Sequence, residues 1–214
     1  MKRNLTIIII LFLTLTACGQ TNTSGIKGLT INPNIKIEVE KHIENSKDFE
    51  VFQDKMQVYL NSGFIETFEN DSLTFTTKEN GNKAPFKSFY LWQDDTLIID
   101  GAFGIFGGIG FDIKIKNNEA TLNHMLSSDD FPTYAYKEKD SLIFRLEVPC
   151  TETKIILSEM PDKTKKQIIY GYIEFKSESF YSSRGSADDQ EILPRQKLRN
   201  NMKLYFKSGY LDIN

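Results

Sequence analysis

From residue 64 onward, apolar and polar side chains alternate in short runs separated by polar turns. That period of two marks half-buried β-strands. Phe111, Ile113 and Ile115 face one way, while Asp112, Lys114 and Lys116 face the other. Leu142, Phe144, Leu146 and Val148 oppose Ile143, Arg145 and Glu147, and Met202, Leu204 and Phe206 oppose Lys203, Tyr205 and Lys207. The runs fall near 64–69, 72–78, 86–92, 96–103, 109–116, 120–126, 132–136, 141–148, 153–158, 167–177 and 198–207. Glu79-Asn80-Gly81-Asn82 and Lys116-Asn117-Asn118-Glu119 supply residues that tolerate positive φ. Most connections are too short for parallel crossovers. The pattern predicts a mainly β fold: an antiparallel meander of about ten strands, closed into a barrel or folded into a two-sheet sandwich, lipocalin-like by analogy.

Before residue 64 the period changes. Phe49, Phe52, Met56, Tyr59 and Leu60 recur at helical spacing between a cap at Asn45-Ser46 and a stop at Gly63, which predicts an N-terminal helix over 47–61. Residues 35–44 fit two patterns. Ile35, Val39 and Ile43 are spaced as on a helix that Asn32-Pro33 would open, but Ile35, Ile37 and Val39 also alternate as in a strand.

The start of the chain has a third pattern. Lys2 and Arg3 precede an apolar run from Leu5 to Ala17, followed by Leu15-Thr16-Ala17-Cys18. The run is well short of the roughly 20 residues a spanning helix needs, and its basic front suits the greasy core of a signal peptide. This order resembles a bacterial lipoprotein signal with its lipobox. The resemblance covers residues 1–18 and implies cleavage before Cys18, with lipid attached to Cys18. The implied organisation is a signal peptide (1–17), a lipidated flexible tether (18–34) and one β-rich domain (35–214). The tether, GQTNTSGIKGLTINPN after Cys18, is polar and glycine-spotted. No acidic residue follows Cys18 directly, so the expected location is the outer membrane, facing the periplasm.

Composition narrows the partners. Net charge is −3, and removal of Lys2 and Arg3 makes the mature chain more acidic, which argues against nucleic acid. The aromatic content, dominated by sixteen phenylalanines, favours a β-rich core and leaves spare apolar surface for a ligand or partner. With Cys18 committed to lipid, Cys150 has no partner for a disulfide.

The stretch from Gly101 to Gly110 holds five glycines and no charge. It lacks the strand–Gly-x-Gly-x-x-Gly–helix setting of a phosphate loop. It reads as an apolar hairpin, its glycines at a bend or a close backbone approach. The functional alternative is a hairpin at a cavity mouth or against lipid, with Phe103, Ile105, Phe106 and Ile109 as contacts. Asp71-Ser72-Leu73, Asp95-Thr96-Leu97 and Asp140-Ser141-Leu142 share a turn-then-strand grammar. They also resemble an O-glycosylation sequon of some Gram-negative anaerobes, which would make Ser72, Thr96 and Ser141 acceptors. Cys150 with His42 or His124 is the sole pairing for nucleophilic chemistry, and no family signature surrounds either histidine. No zinc spacing or calcium-loop grammar is present, and no cofactor is implied. Asp162–Lys166 reads as a solvated basic turn, and 181–197 as a long polar loop.

Two functions follow. The first is a non-catalytic lipoprotein, held to a membrane through Cys18, that binds an apolar ligand. The second is a module that docks another envelope protein. A cavity lined by Phe, Ile and Trp92 favours the first; a filled core with an exposed apolar patch favours the second.

Overall fold

A computed structural model describes residues 22–23, 25–45, 57–78, 83–104, 108–184 and 193–212. The expected lipobox, Ser46 of the expected cap and residues 47–56 of the expected helix, the turn at 79–82, Ile105 and Phe106, and 185–192 of the polar loop lie outside the described residues.

The strands are β1 (Asn22–Thr23), β2 (Thr30–Ile31), β3 (Ile43–Glu44), β4 (Gln57–Asn61), β5 (Phe64–Glu69), β6 (Ser72–Thr76), β7 (Ala84–Gln93), β8 (Thr96–Phe103), β9 (Gly108–Lys116), β10 (Glu119–Ser127), β11 (Tyr134–Ala135), β12 (Arg145–Leu157), β13 (Ile169–Ser177), β14 (Phe180–Ser182) and β15 (Gln196–Tyr210). One helix, α1 (Ile35–His42), precedes β3. The fold is mainly β, as the alternation predicts.

Strands β7, β8, β9, β10, β12, β13 and β15 pair in that order. The ring closes where Gly209 and Tyr210 of β15 pair in parallel with Phe89 and Tyr90 of β7. Every other pairing in the ring is antiparallel. Closure removes the exposed edges that an open sheet of this length would carry. The hairpin β5–β6 lies on the first half of β15. Its two-residue turn, Asn70-Asp71, has both φ angles positive, as does Asn117-Asn118 between β9 and β10, so hairpin twist matches strand twist.

The ring is filled. Phe86, Phe111 and Phe206 are fully buried with Tyr59, Tyr90, Leu97, Ile99 and Ile113. Phe86 and Phe111 rings stack at 6.1 Å, and Phe111 meets Phe206 at 5.1 Å. Gly101 makes room for them: a Cβ there would lie 2.6 Å from Phe86 Cζ.

Three expectations change. Residues 57–61 form strand β4, paired with β7, and not the end of a helix. Val58 and Tyr59 are both buried, so the segment does not alternate. Pairing along β7, and the bond from the Lys207 N–H to the Tyr59 hydroxyl (2.8 Å), outweigh its helical spacing. Residues 35–42 take the helical option: Ile35 and Val39 are buried while Ile37 is exposed, because α1 lays one stripe against Tyr172 on the outside of the barrel. The expected run 141–148 begins as strand β12 only at Arg145, which pairs with Ser127 of β10; just before it Ile143 forms an isolated bridge with Tyr134. Phe144, assigned to the inward face, is exposed.

The expected tether is also partly structured. β1 pairs with β2, and β2 lies parallel to Ile156 and Leu157 of β12. Leu29 is buried in the main core. The polar composition of 18–34 hid the three apolar residues, Ile26, Leu29 and Ile31, that dock it.

Candidate ligand-binding site

The hairpin singled out by its glycines stands at one end of the ring. Phe103 ends β8 and Ile109 is the second residue of β9, opposite one another across the pair. Gly108 has φ +124°, and a Cβ there would collide with the Phe103 carbonyl, so this strand entry requires glycine. Phe103 and Ile109 are half-buried and pack on the main core, with the Phe103 ring edge-on to Phe86 at 5.1 Å.

Between this hairpin and β5–β6 lies a cleft of about 430 Å³. Its apolar walls are Ile65, Phe75, Phe103 and Ile109; Thr77, Lys83 and Ala84 contribute to the rim. The volume lies within the roughly 300–1,000 Å³ typical of small-molecule sites. The Lys83 ammonium is held by Glu44 at 2.8 Å, so it does not bring an uncompensated charge into the cleft. Phe75, on this side of β6, is 52% exposed.

Two of the four expected contacts, Phe103 and Ile109, therefore border a cavity; Ile105 and Phe106 lie outside the described residues. The sequence reading missed Ile65 and Phe75. The signal for Phe75 was available: Leu73 and Phe75 flank Thr74 in a run without charge, and both are more than half exposed. Trp92 does not line the cleft. It sits by the β7–β8 turn at the opposite end, with the Lys163 ammonium 4.9 Å from its ring center.

A smaller hollow of about 170 Å³ lies over the outer face of the same hairpin, lined by Lys87, Phe89, Asp100, Met125 and Arg145. Asp100 pairs across the strands with Asp112. Burial, and then the Asp112 charge, push the Asp100 carboxyl up to about 6. Burial also raises Asp112, against the Lys114 ammonium at 3.2 Å, which also contacts Glu147 at 3.0 Å.

The two histidines take separate places. His42 stacks on Tyr205 at 4.0 Å, and its Nδ1 lies 3.2 Å from Ser62 Oγ. His124 is fully buried. A carbonyl can only accept, so His124 Nδ1 carries the proton it donates to Gly110 O (2.9 Å), and Nε2 accepts from Asn200 Nδ2 (2.8 Å). Burial lowers its pKa to about 4. The Cys150 thiol, near the His124 backbone N–H, is pushed up to about 12 by burial, and its hydrogen-bond acceptor is Val148 O. A thiol held protonated and an imidazole already bonded at both nitrogens are not arranged as a nucleophile and base. Among the described residues, no group of three or more His, Cys, Asp or Glu is placed to hold a metal ion.

Of the expected glycosylation acceptors, Ser72 and Ser141 are exposed and Thr96 is half-buried. Ser72 and Thr96 open β6 and β8. Ser141 follows Asp140, whose carboxylate accepts the Lys137 N–H. Comparison of the chain with protein-family models, with curated proteins and with solved structures finds no match.

Proposed function

We propose that the chain is a membrane-anchored envelope lipoprotein whose barrel binds an apolar ligand without catalysing a reaction. The observation that carries this reading is the cleft walled by Ile65, Phe75, Phe103 and Ile109. The ligand is an apolar molecule or chain taken into the barrel's end. The central calyx of a lipocalin is not the analogue, because side chains fill this ring. The anchor is the lipid on Cys18, in line with the order Leu15-Thr16-Ala17-Cys18, and the location is the outer membrane facing the periplasm. Ser72, Thr96 and Ser141 are the proposed O-glycosylation acceptors, with the two exposed serines favoured by access.

Two measurements test this. Mass spectrometry of the mature N-terminus should find acylated Cys18; an unmodified Cys18, or cleavage elsewhere, removes the anchor. Binding of a fluorescent apolar probe should weaken at least tenfold in Phe75→Asp, because a charge in the cleft must be desolvated. Unchanged binding removes the cleft as the site.

A second reading, docking of an envelope protein, draws on another observation. Leu73, Phe75, Ile143 and Phe144 are all exposed, and none is needed to complete the filled ring. A probe that fails to bind, together with a discrete protein complex lost in Phe144→Ser, favours this reading.

A further inference from the structure

The cleft and the proposed anchor lie at opposite ends of the barrel. β2 runs parallel to β12 beside Ile156 and Leu157, its last two residues. β1 runs antiparallel to β2 and pairs Asn22 with Ile31, so the chain toward Cys18 leaves from the end where β12 finishes. Trp92, near the end of β7, and the turn that follows Leu157 share that end. Phe103 closes β8, Gly108 opens β9 and Ala84 opens β7, all at the other end. Strands of eight to ten residues separate the two by roughly 20 Å even when tilted.

The link between Cys18 and Asn22 is short. Only Gly19, Gln20 and Thr21 intervene, so the fully extended reach is at most about 14 Å. An acyl group fixed in a bilayer at Cys18 therefore holds the β12 exit end close to the membrane. It cannot pass along the barrel to the cleft while it stays inserted.

We propose that the cleft is loaded from the aqueous side, with its mouth turned away from the anchoring bilayer. Its occupant is a free apolar molecule from that space. Neither the protein's own acyl chains nor the lipids of the anchoring leaflet fill it. This rests on the lipid-anchor and apolar-ligand readings above.

The chain's single tryptophan, Trp92, marks the anchor end, and Trp92→Phe with Phe75→Trp moves the probe to the cleft. The full-length lipidated protein is placed in phosphatidylglycerol vesicles carrying dansyl-labelled headgroups. Energy transfer to dansyl should be strong from Trp92 and several-fold weaker from Phe75→Trp. Equal or reversed transfer overturns the proposal. Should the double variant fail to fold, a donor dye on Ser72→Cys against one on Asp95→Cys makes the same comparison, since the raised Cys150 pKa keeps that thiol slow to label.

In unlabelled vesicles, added anilinonaphthalene sulfonate should quench Phe75→Trp with an affinity within about twofold of that in detergent solution. Binding lost on anchoring means that the cleft faces the membrane, and overturns the proposal. Binding absent in both media overturns the apolar-ligand reading and loading with it, and leaves the measured orientation in place.

Discussion

At the scale of single residues, the buried His124 and the half-buried Asp100 titrate with opposite effects on stability. His124 is held neutral, with its folded pKa of about 4 below its unfolded value near 6.5. As pH falls from 6.5 to 4, the unfolded chain takes up a proton that the folded chain refuses, and stability is lost. Asp100 is the reverse. Its folded pKa of about 6 lies above the unfolded value, so its ionisation destabilises the fold above pH 6, and acidification relieves that cost. Its neighbours are Asp112 and Lys114 on β9 and Arg145 and Glu147 on β12, with Lys87 of β7 on the same hollow. Between pH 6 and 4 the two effects offset. Asp100→Asn should gain about 1–3 kcal/mol at pH 7 and then lose stability on acidification to pH 4. His124→Gln should instead become more stable on acidification over that interval. Urea unfolding at pH 7, 6, 5 and 4 checks both; parallel slopes would contradict the assignment.

At the scale of elements, the hairpin β8–β9 divides its side chains between core and cleft. Phe86, buried in the ring, should cost about 3–5 kcal/mol when changed to alanine. Phe103 and Ile109 are half-buried, so their alanine variants should each cost about 1–2 kcal/mol less than Phe86→Ala, since part of the surface they would lose is already wet. Gly101→Ala should destabilise by about 1–3 kcal/mol, because the new methyl meets Phe86 and Phe111 in a packed interior. Denaturant midpoints of the four variants give the order. A loss in Phe103→Ala equal to that in Phe86→Ala would make the hairpin wholly structural.

At the scale of the whole molecule, the ring is completed by segments from both ends of the described chain. The last residues of β15 close it against β7, and Leu29 fills the core beside β2. Leu29→Ala should cost about 2–4 kcal/mol, measured by guanidinium unfolding of the full domain. A loss below 0.5 kcal/mol would return the segment to the role of a free tether. The same docking sends the chain toward Cys18 out at the end opposite the cleft.

The sequence by itself determined the β class, the positions of the central strands and the separate character of the Gly101–Gly110 hairpin. Each of these is local: alternation, turn residues and glycine density can be read along the chain without knowing what lies across from it. The expected lipobox is local in the same way, since such a motif is read as a linear signal. Tertiary structure alone decided the rest. β4 became a strand because β7 had a free side to pair with. The segment 141–144 stayed out of β12 because Ile143 bridges Tyr134 instead of continuing the ladder along β10. Leu29 was drawn into the core by β12, far away in sequence. The cleft needs Phe75 of β6 and Phe103 of β8 to meet, and the pairing of Asp100 with Asp112 needs the register of β8 on β9. These outcomes depend on contacts between distant segments, whose energies arise only once the chain has closed, and no window along the sequence contains both partners.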